Sequence, residues 1–196
     1  METLFARAAR GIALTSLQRE LVIGSMLGDG YLMPTTAGYC FRVSHGPQQR
    51  RYVDWKFGIL SAFVRTAPRA SGRSYYFRTI THPEFSGLRR AFYGSTFQKV
   101  LPVELLYREL SPFGLAVWFM DDGARDRKQL RINTQCFSQA EILVLVEFLQ
   151  AKFGIATTLN KDKDRYRIRI GEGGVERFVS LVRQYVIPSM LYKLPP

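Results

Sequence analysis

Leu21-Val22-Ile23-Gly24-Ser25-Met26-Leu27-Gly28-Asp29-Gly30 is the stretch whose reading decides the fold. It is an apolar helix-like run that stops abruptly at Asp-Gly. Leu115-Ala116-Val117-Trp118-Phe119-Met120-Asp121-Asp122-Gly123 is its imperfect twin. A carboxylate at the end of an apolar helix is costly unless its charge is paired or binds a metal. Asp29 and Asp122 lie 93 positions apart. Two such ends predict two halves that each bring one acid to a shared place.

The flanking sequence repeats around each run. Thr15-x-x-Gln18 reads as a capping box that opens a helix from about Ser16 to Gly28. Gly24 and Gly28 fall on one face of it, where a second helix can approach backbone to backbone. The plainer role for Gly28 and Gly30 is to end the helix. A turn at Pro34 to Gly38 leads to the alternating strand Tyr39–Ser44. Pro47 then opens a helix carrying Tyr52, Trp55, Ile59, Leu60 and Phe63. After a Pro68–Gly72 turn come a strand at Tyr75–Ile80 and a short helix at about Glu84–Tyr93.

Ser111-Pro112 starts the second motif helix, with a cap and then proline in the first turn. A strand over Leu130–Gln135 follows. Ser138-x-x-Glu141 opens a helix that Gly154 ends. Arg165–Ile170 is the clearest alternating strand, and a helix over about Val175–Val186 closes the pattern. Asp29 to Lys99 is 70 positions and Asp122 to Lys193 is 71, and each lysine is followed shortly by proline. The chain therefore reads as two copies: an N-terminal half at 1–94, a connecting segment at 95–110 that carries Lys99, and a C-terminal half at 111–196. The segment is too apolar for a free linker, so the halves are expected to pack as one unit.

The bulk numbers narrow the partner. Lys and Arg total 28 against 16 Asp and Glu, a formal charge of +12. Such an excess points to a polyanion, with nucleic acid first. A basic membrane-surface protein would need a long amphipathic segment with one cationic face, and none stands out. No apolar run approaches membrane-spanning length. Two cysteines without a CxxC pair, Cys40 and Cys136, exclude a disulfide scaffold or a structural zinc site and fit a reducing compartment. Met1–Arg10 has the arginines of a transit-like start, but Glu2 and the lack of a serine-rich extension oppose it.

Val22–Gly30 and Leu115–Gly123 resemble the nine-residue motif of the LAGLIDADG homing endonucleases, in the single-chain, two-motif branch. The resemblance runs from about Thr15 to the end. It includes Trp118-Phe119-Met120-Asp121-Asp122-Gly123, Asn133-Thr134-Gln135 and Tyr192-Lys193-Leu194-Pro195. Leu27 departs from the Asp of the family name, and Val117 stands where the first motif has Gly24. The helix pair is therefore expected to be asymmetric. The resemblance implies an α+β fold, a pseudo-symmetric tandem αββαββα repeat with a central pair of motif helices and two antiparallel, saddle-shaped DNA-binding sheets. It implies a site-specific endonuclease that cuts both strands of a long, asymmetric duplex, leaves short 3′ overhangs and is encoded by a mobile element.

By the same resemblance, Asp29 and Asp122 are the essential metal ligands, one for each strand break, and the carbonyls of Gly28 and Asp121 add a ligand each. Mg²⁺, with Mn²⁺ as a substitute, suits this sparse oxygen set. A lone Asp-Gly would be ordinary turn chemistry; two in matching contexts are not. The Asp121 side chain is left with two readings, tuning Asp122 or lying solvated beside it. Lys99 and Lys193 sit where the family has basic residues, suited to stabilising charge at the reacting phosphate; surface lysines are the plainer alternative.

Alternation assigns the DNA face. Arg42 and Ser44 oppose Phe41 and Val43; Arg131, Asn133 and Gln135 oppose Ile132; Arg165, Arg167 and Arg169 oppose Tyr166, Ile168 and Ile170. Arg78 and His45 join the DNA contacts, and His82 is a helix-start residue; neither histidine is read as a metal ligand. Arginine suits guanine, and Asn or Gln suits adenine. Two motifs in one chain make a monomer sufficient. Such an enzyme belongs inside a cell, in the cytoplasm of a bacterium or archaeon or in an organelle. The rivals are an intron RNA maturase and a catalytically inactive DNA-binding protein of the same fold, and the retention of both acids favours the nuclease.

Overall fold

In the computed structural model, which describes residues 3–95 and 97–196, two four-stranded antiparallel sheets flank a central pair of helices. Met1 and Glu2, used above against a transit-like start, and Thr96 of the connecting segment lie outside the described residues.

The first copy starts with α2 (Ser16–Leu27), after a short helix α1 (Leu4–Arg10) that the sequence reading did not find. Thr15 caps α2: its side chain accepts from the Gln18 N–H, and Gln18 accepts in return from the Thr15 N–H. β1 (Tyr31–Thr35), β2 (Gly38–His45), α3 (Arg50–Leu60), β3 (Arg69–Ser71), β4 (Ser74–Arg78) and α4 (Pro83–Tyr93) complete it. After α5 (Val103–Glu109) the second copy runs α6 (Pro112–Asp122), β5 (Gly123–Asp126), β6 (Gln129–Ile132), α7 (Gln139–Phe153), β7 (Thr157–Asp162), β8 (Arg165–Ile170) and α8 (Glu172–Val182). The sheets have the same order, β1-β2-β4-β3 and β5-β6-β8-β7. This is the αββαββα repeat.

Alternation fixes which face each sheet buries. Phe41 and Val43 on β2 and Phe77 on β4 pack inward, as do Leu130 and Ile132 on β6 and Ile168 and Ile170 on β8. The opposite face holds Arg42 directly across from Arg78 in one sheet and Arg131 across from Arg169 in the other. Like charges directly opposite one another destabilise a sheet. The same arrangement recurs in both copies.

The four outer strands β1, β3, β5 and β7 were missed or read as turns. They lie at sheet edges and are short, and Pro34 of β1 lacks the N–H that only an edge can spare. The strand expected over Leu130–Gln135 ends at Ile132, because the Phe137 N–H turns back to the Thr134 carbonyl. That expected over Tyr75–Ile80 ends at Arg78, and the helix expected at Val175–Val186 starts and ends earlier, at Glu172 and Val182.

α2 packs on α6 along a close seam. A Cβ at Gly24 would lie 2.3 Å from the Gly114 carbonyl oxygen, and one at Gly28 would lie 2.6 Å from the Cβ of Asp121. The glycine opposite Gly24 is thus Gly114, not the aligned Val117, whose Cβ would sit 3.0 Å from the added atom. Trp118 points away into the core, fully buried, and its indole N–H has no hydrogen-bond partner among the described residues. Polar ties also run within the first copy, between the copies, and from each copy to the segment that connects them. Arg19 of α2 pairs with Glu109 and Glu84, Glu20 accepts from Ser111, and Lys152 of α7 reaches the Leu106 carbonyl of α5 at 2.9 Å.

Candidate functional site

The seam delivers Asp29 and Asp122 to one end of the helix pair. Asp29 follows α2 and its side chain is half exposed; Asp122 is the last residue of α6. The two feel one another. Burial, then the charges of Asp29 and Asp121, push the Asp122 carboxyl up to about 7. Burial and the charge of Asp121 likewise raise Asp29. Crowded carboxylates held above their ordinary range are a donor set in want of cations.

The carbonyl before each acid is held by the lysine of the repeat. Lys99 Nζ donates to the Gly28 oxygen at 3.1 Å. Lys193 Nζ donates to the Asp121 oxygen at 3.2 Å and to the Met120 oxygen at 2.5 Å. The sequence spacing therefore matches a repeated contact. Lys193 is buried, and burial lowers its pKa against the opposing pull of Asp121, Asp122 and Asp29.

The side chain of Asp121 is not solvated beside Asp122; that alternative is corrected. It is fully buried, and its two oxygens accept from Lys56 Nζ at 2.7 and 3.0 Å. Lys56 comes from α3 of the other copy, is 1% exposed, and also donates to Ser25 Oγ at 2.9 Å. Its ammonium lies 4.4 Å from the centre of the Tyr52 ring, whose hydroxyl donates to the Val117 carbonyl. The sequence reading missed Lys56. The available signal was a lone charge on the apolar helix side that carries Tyr52, Ile59, Leu60 and Phe63.

His45 occupies a setting different from that of a solvent-facing strand residue. Its side chain is 3% exposed, with Nδ1 3.7 Å from Asp29 and Nε2 3.7 Å from Asp121. Burial, then the nearby Lys56 charge, lower the imidazole to about 4, so it is neutral at neutral pH. Asp29, His45 and Asp121 have ligand-type atoms within 4.8 Å of one another. Within this trio the Asp121 carboxylate is already paired with Lys56. His82 caps α4, accepting from the Glu84 N–H.

The remaining candidates lie on or beside the sheets. Arg42, Ser44, Arg131 and Arg167 are half-buried, and Arg78, Arg165 and Arg169 are exposed. Asn133 and Gln135 are beyond β6, but the Asn133 N–H bonds the Asp122 carbonyl at 3.0 Å, so this loop stays tied to the motif end. Gln135 donates to Asp162 at 2.8 Å, and Arg165 donates to the Gln135 carbonyl at 2.7 Å.

These features have relatives. A protein named probable intron-encoded endonuclease 1, from Wickerhamomyces canadensis, is 27% identical over 92% of this chain and 85% of its own length. The cytochrome b mRNA maturase bI2 of Saccharomyces cerevisiae is 29% identical over 89% of this chain, which spans 46% of that protein. Among solved structures, the homing endonuclease I-WcaI bound to its DNA recognition sequence matches with a TM-score of 0.91 and 25% identity, over 99% of this chain and 93% of that one. The family model of the LAGLIDADG DNA endonucleases matches residues 19–178. With both motifs, both sheets and the repeat accounted for, the chain belongs to the LAGLIDADG DNA endonuclease family.

Proposed function

We propose that this chain is a monomeric, site-specific homing endonuclease that hydrolyses both strands of a long, asymmetric DNA duplex with Mg²⁺ or Mn²⁺. The observation that carries this reading is the doubled constellation at the seam. Each copy contributes a motif acid, and each acid follows a carbonyl gripped by the lysine 71 or 72 positions further on.

Asp29, Asp122 and the carbonyls of Gly28 and Asp121 are the oxygen donors that would hold divalent ions. The raised carboxyls of Asp29 and Asp122 fit such ions, which would relieve their mutual repulsion. Bound there, a divalent metal supplies an acidified water and neutralises the leaving oxygen. Lys99 and Lys193 set positive charge beside the reacting phosphate and fix the carbonyls. Lys56 removes the excess charge of Asp121 without offering that side chain to a metal. Arg42, Ser44, His45 and Arg78 in one copy, and Arg131, Asn133, Gln135, Arg165, Arg167 and Arg169 in the other, take DNA contacts, the backbone-holding ones fixing register for the base-reading ones. His45, being buried, would act from behind the acids.

Because the copies differ, the target is only imperfectly palindromic, and the products carry short 3′ overhangs. The activity belongs to an intron-borne or free-standing mobile reading frame inside a cell, in a bacterial or archaeal cytoplasm or an organelle. No described helix is long and apolar enough to cross a membrane.

Incubating a plasmid library of candidate insertion sites with Mg²⁺ tests the reading: linearised plasmids carrying one shared sequence are expected. No cleavage of any sequence, with intron RNA binding intact, would support the second reading, an RNA maturase, which the likeness to the yeast maturase favours.

A further inference from the structure

The two sheets orient their outward groups by different means. On the first sheet, Arg69 donates to the Tyr76 hydroxyl at 3.0 Å, and the Arg42 guanidinium stacks 4.8 Å from the Tyr76 ring centre, so an aromatic ring holds two arginines. On the second sheet an acid takes the equivalent part. In the pairing of β7 with β8, Thr158 lies across from Arg169, Asn160 across from Arg167 and Asp162 across from Arg165. Directly paired residues share a face, so Asp162 stands on the same side as the three arginines. A carboxylate there repels a polyanion, and its place on the basic face of a chain with charge +12 needs a reason.

The reason lies in its partners. Asp162 Oδ2 accepts from Gln135 Nε2 at 2.8 Å, and Oδ1 lies 3.7 Å from Arg167. Arg165 donates to the main-chain carbonyl of Gln135 at 2.7 Å, which holds the backbone of the same residue. An ionised carboxylate only accepts, so the amide nitrogen of Gln135, and not its oxygen, must face Asp162. The amide is thereby locked in one of its two flip states, with Oε1 turned away from Asp162. The first sheet has no acid at the matching place: its outer pair ends with Ser71 across from Ser74.

We infer that Asp162 is a positioning residue for base reading in the second half of the target. It fixes the Gln135 amide so that the oxygen is presented to the duplex as an acceptor. The inference rests on the endonuclease reading. An acceptor in the major groove suits the exocyclic amino groups of adenine and cytosine, and is opposed by O6 of guanine and O4 of thymine. Without Asp162 the amide is free to turn over and offer either end, and the choice between amino- and keto-bearing bases is lost. The acid thus weakens binding to every sequence and adds discrimination at one base.

The test takes the site recovered from the cleaved plasmids, replaces each of its base pairs in turn and measures binding by titration without metal. For the wild type, one base in the second half should be adenine or cytosine in preference to guanine or thymine by roughly 5- to 150-fold, the range of a single good base contact. Asp162→Asn keeps the shape and removes the charge. It should bring that preference close to equality and leave the preferences in the first half unchanged. Gln135→Ala should erase the same preference at the same position, and Asp162→Asn/Gln135→Ala should erase no more. Asp164→Asn, exposed in the turn between β7 and β8, is the control for charge alone and should change affinity alike for every sequence. Thermal unfolding checks that each variant is folded. An Asp162→Asn profile that shifts alike at all positions, as the control does, would overturn the proposal. So would a preference lost at a position that Gln135→Ala leaves intact. A wild type that neither cleaves nor retains any duplex would overturn the endonuclease reading itself, a result distinct from those two.

Discussion

The two motif ends share a backbone plan but not a charge plan. In the first copy Gly28 precedes the acid, and the space a side chain would take is filled by the Cβ of Asp121. In the second copy Asp121 precedes the acid and brings a second carboxylate into the core. That carboxylate is answered from the first copy, by Lys56. The position 93 residues on from Lys56 is Leu149, fully buried and apolar. The asymmetry is therefore compensated across the seam, not within either half. A pseudo-symmetric centre can tolerate an unmatched charge if the neighbouring copy supplies its counter-ion, because a buried pair costs far less than a buried lone charge.

Exchanging the acids should break the comparison most severely. Asp29→Asn and Asp122→Asn should each lower double-strand cleavage by more than the roughly 10–100-fold that loss of even an outer partner of a metal ligand costs. DNA affinity, measured by titration without metal, should hold, and nicked circles should replace linear product. Full double-strand cleavage by either variant would remove that acid from the mechanism.

Lys56→Met leaves Asp121 as a buried charge without its partner, and should destabilise the fold by about 3–5 kcal/mol. Lys56→Met/Asp121→Leu should recover much of that loss in denaturant unfolding. If the single change is as mild as the double, the pair does not carry the seam.

Gly24→Val, which copies Val117 of the second motif, drives side-chain atoms into the Gly114 backbone and should cost at least the ~1–3 kcal/mol typical of overpacking. Thermal unfolding checks it; a neutral result would mean that the helices can separate.

His45 gives a pH signature to the first copy. Its folded value near 4 lies below the ordinary 6.5, so between those values the unfolded chain binds the extra proton. Its contribution is fully present above pH 6.5 and is lost as pH falls toward 4. His45→Phe should flatten the acid-side fall in stability, and an unchanged slope would assign that fall to other groups.

The smallest effect is expected at Ser138, the N-cap of α7, where Ser138→Ala removes a cap worth about 1 kcal/mol.

The capping boxes, the two Asp-Gly helix ends and the central strands were legible because each is a local pattern with a local cause. Thr15 with Gln18 and Ser138 with Glu141 are reciprocal bonds within one turn. Strands such as Arg165–Ile170 write their buried face into every second residue. The edge strands were not legible, since three to six residues carrying Pro34 or mostly polar side chains hold too little periodicity to stand out.

By itself, the sequence determined the repeat, the polyanionic partner and the candidate acids and lysines, because spacing and net charge survive any folding. Only the tertiary structure decided that Gly24 packs on Gly114 as well as on Val117, that Asp121 is neutralised by Lys56, and that His45 is buried beside Asp29 and Asp121. Those contacts join residues 65 to 90 positions apart in the two copies, or bring a strand end onto a helix end. No local rule encodes such pairings. They follow from how closely two helix backbones can approach and from the need to leave no buried charge unanswered.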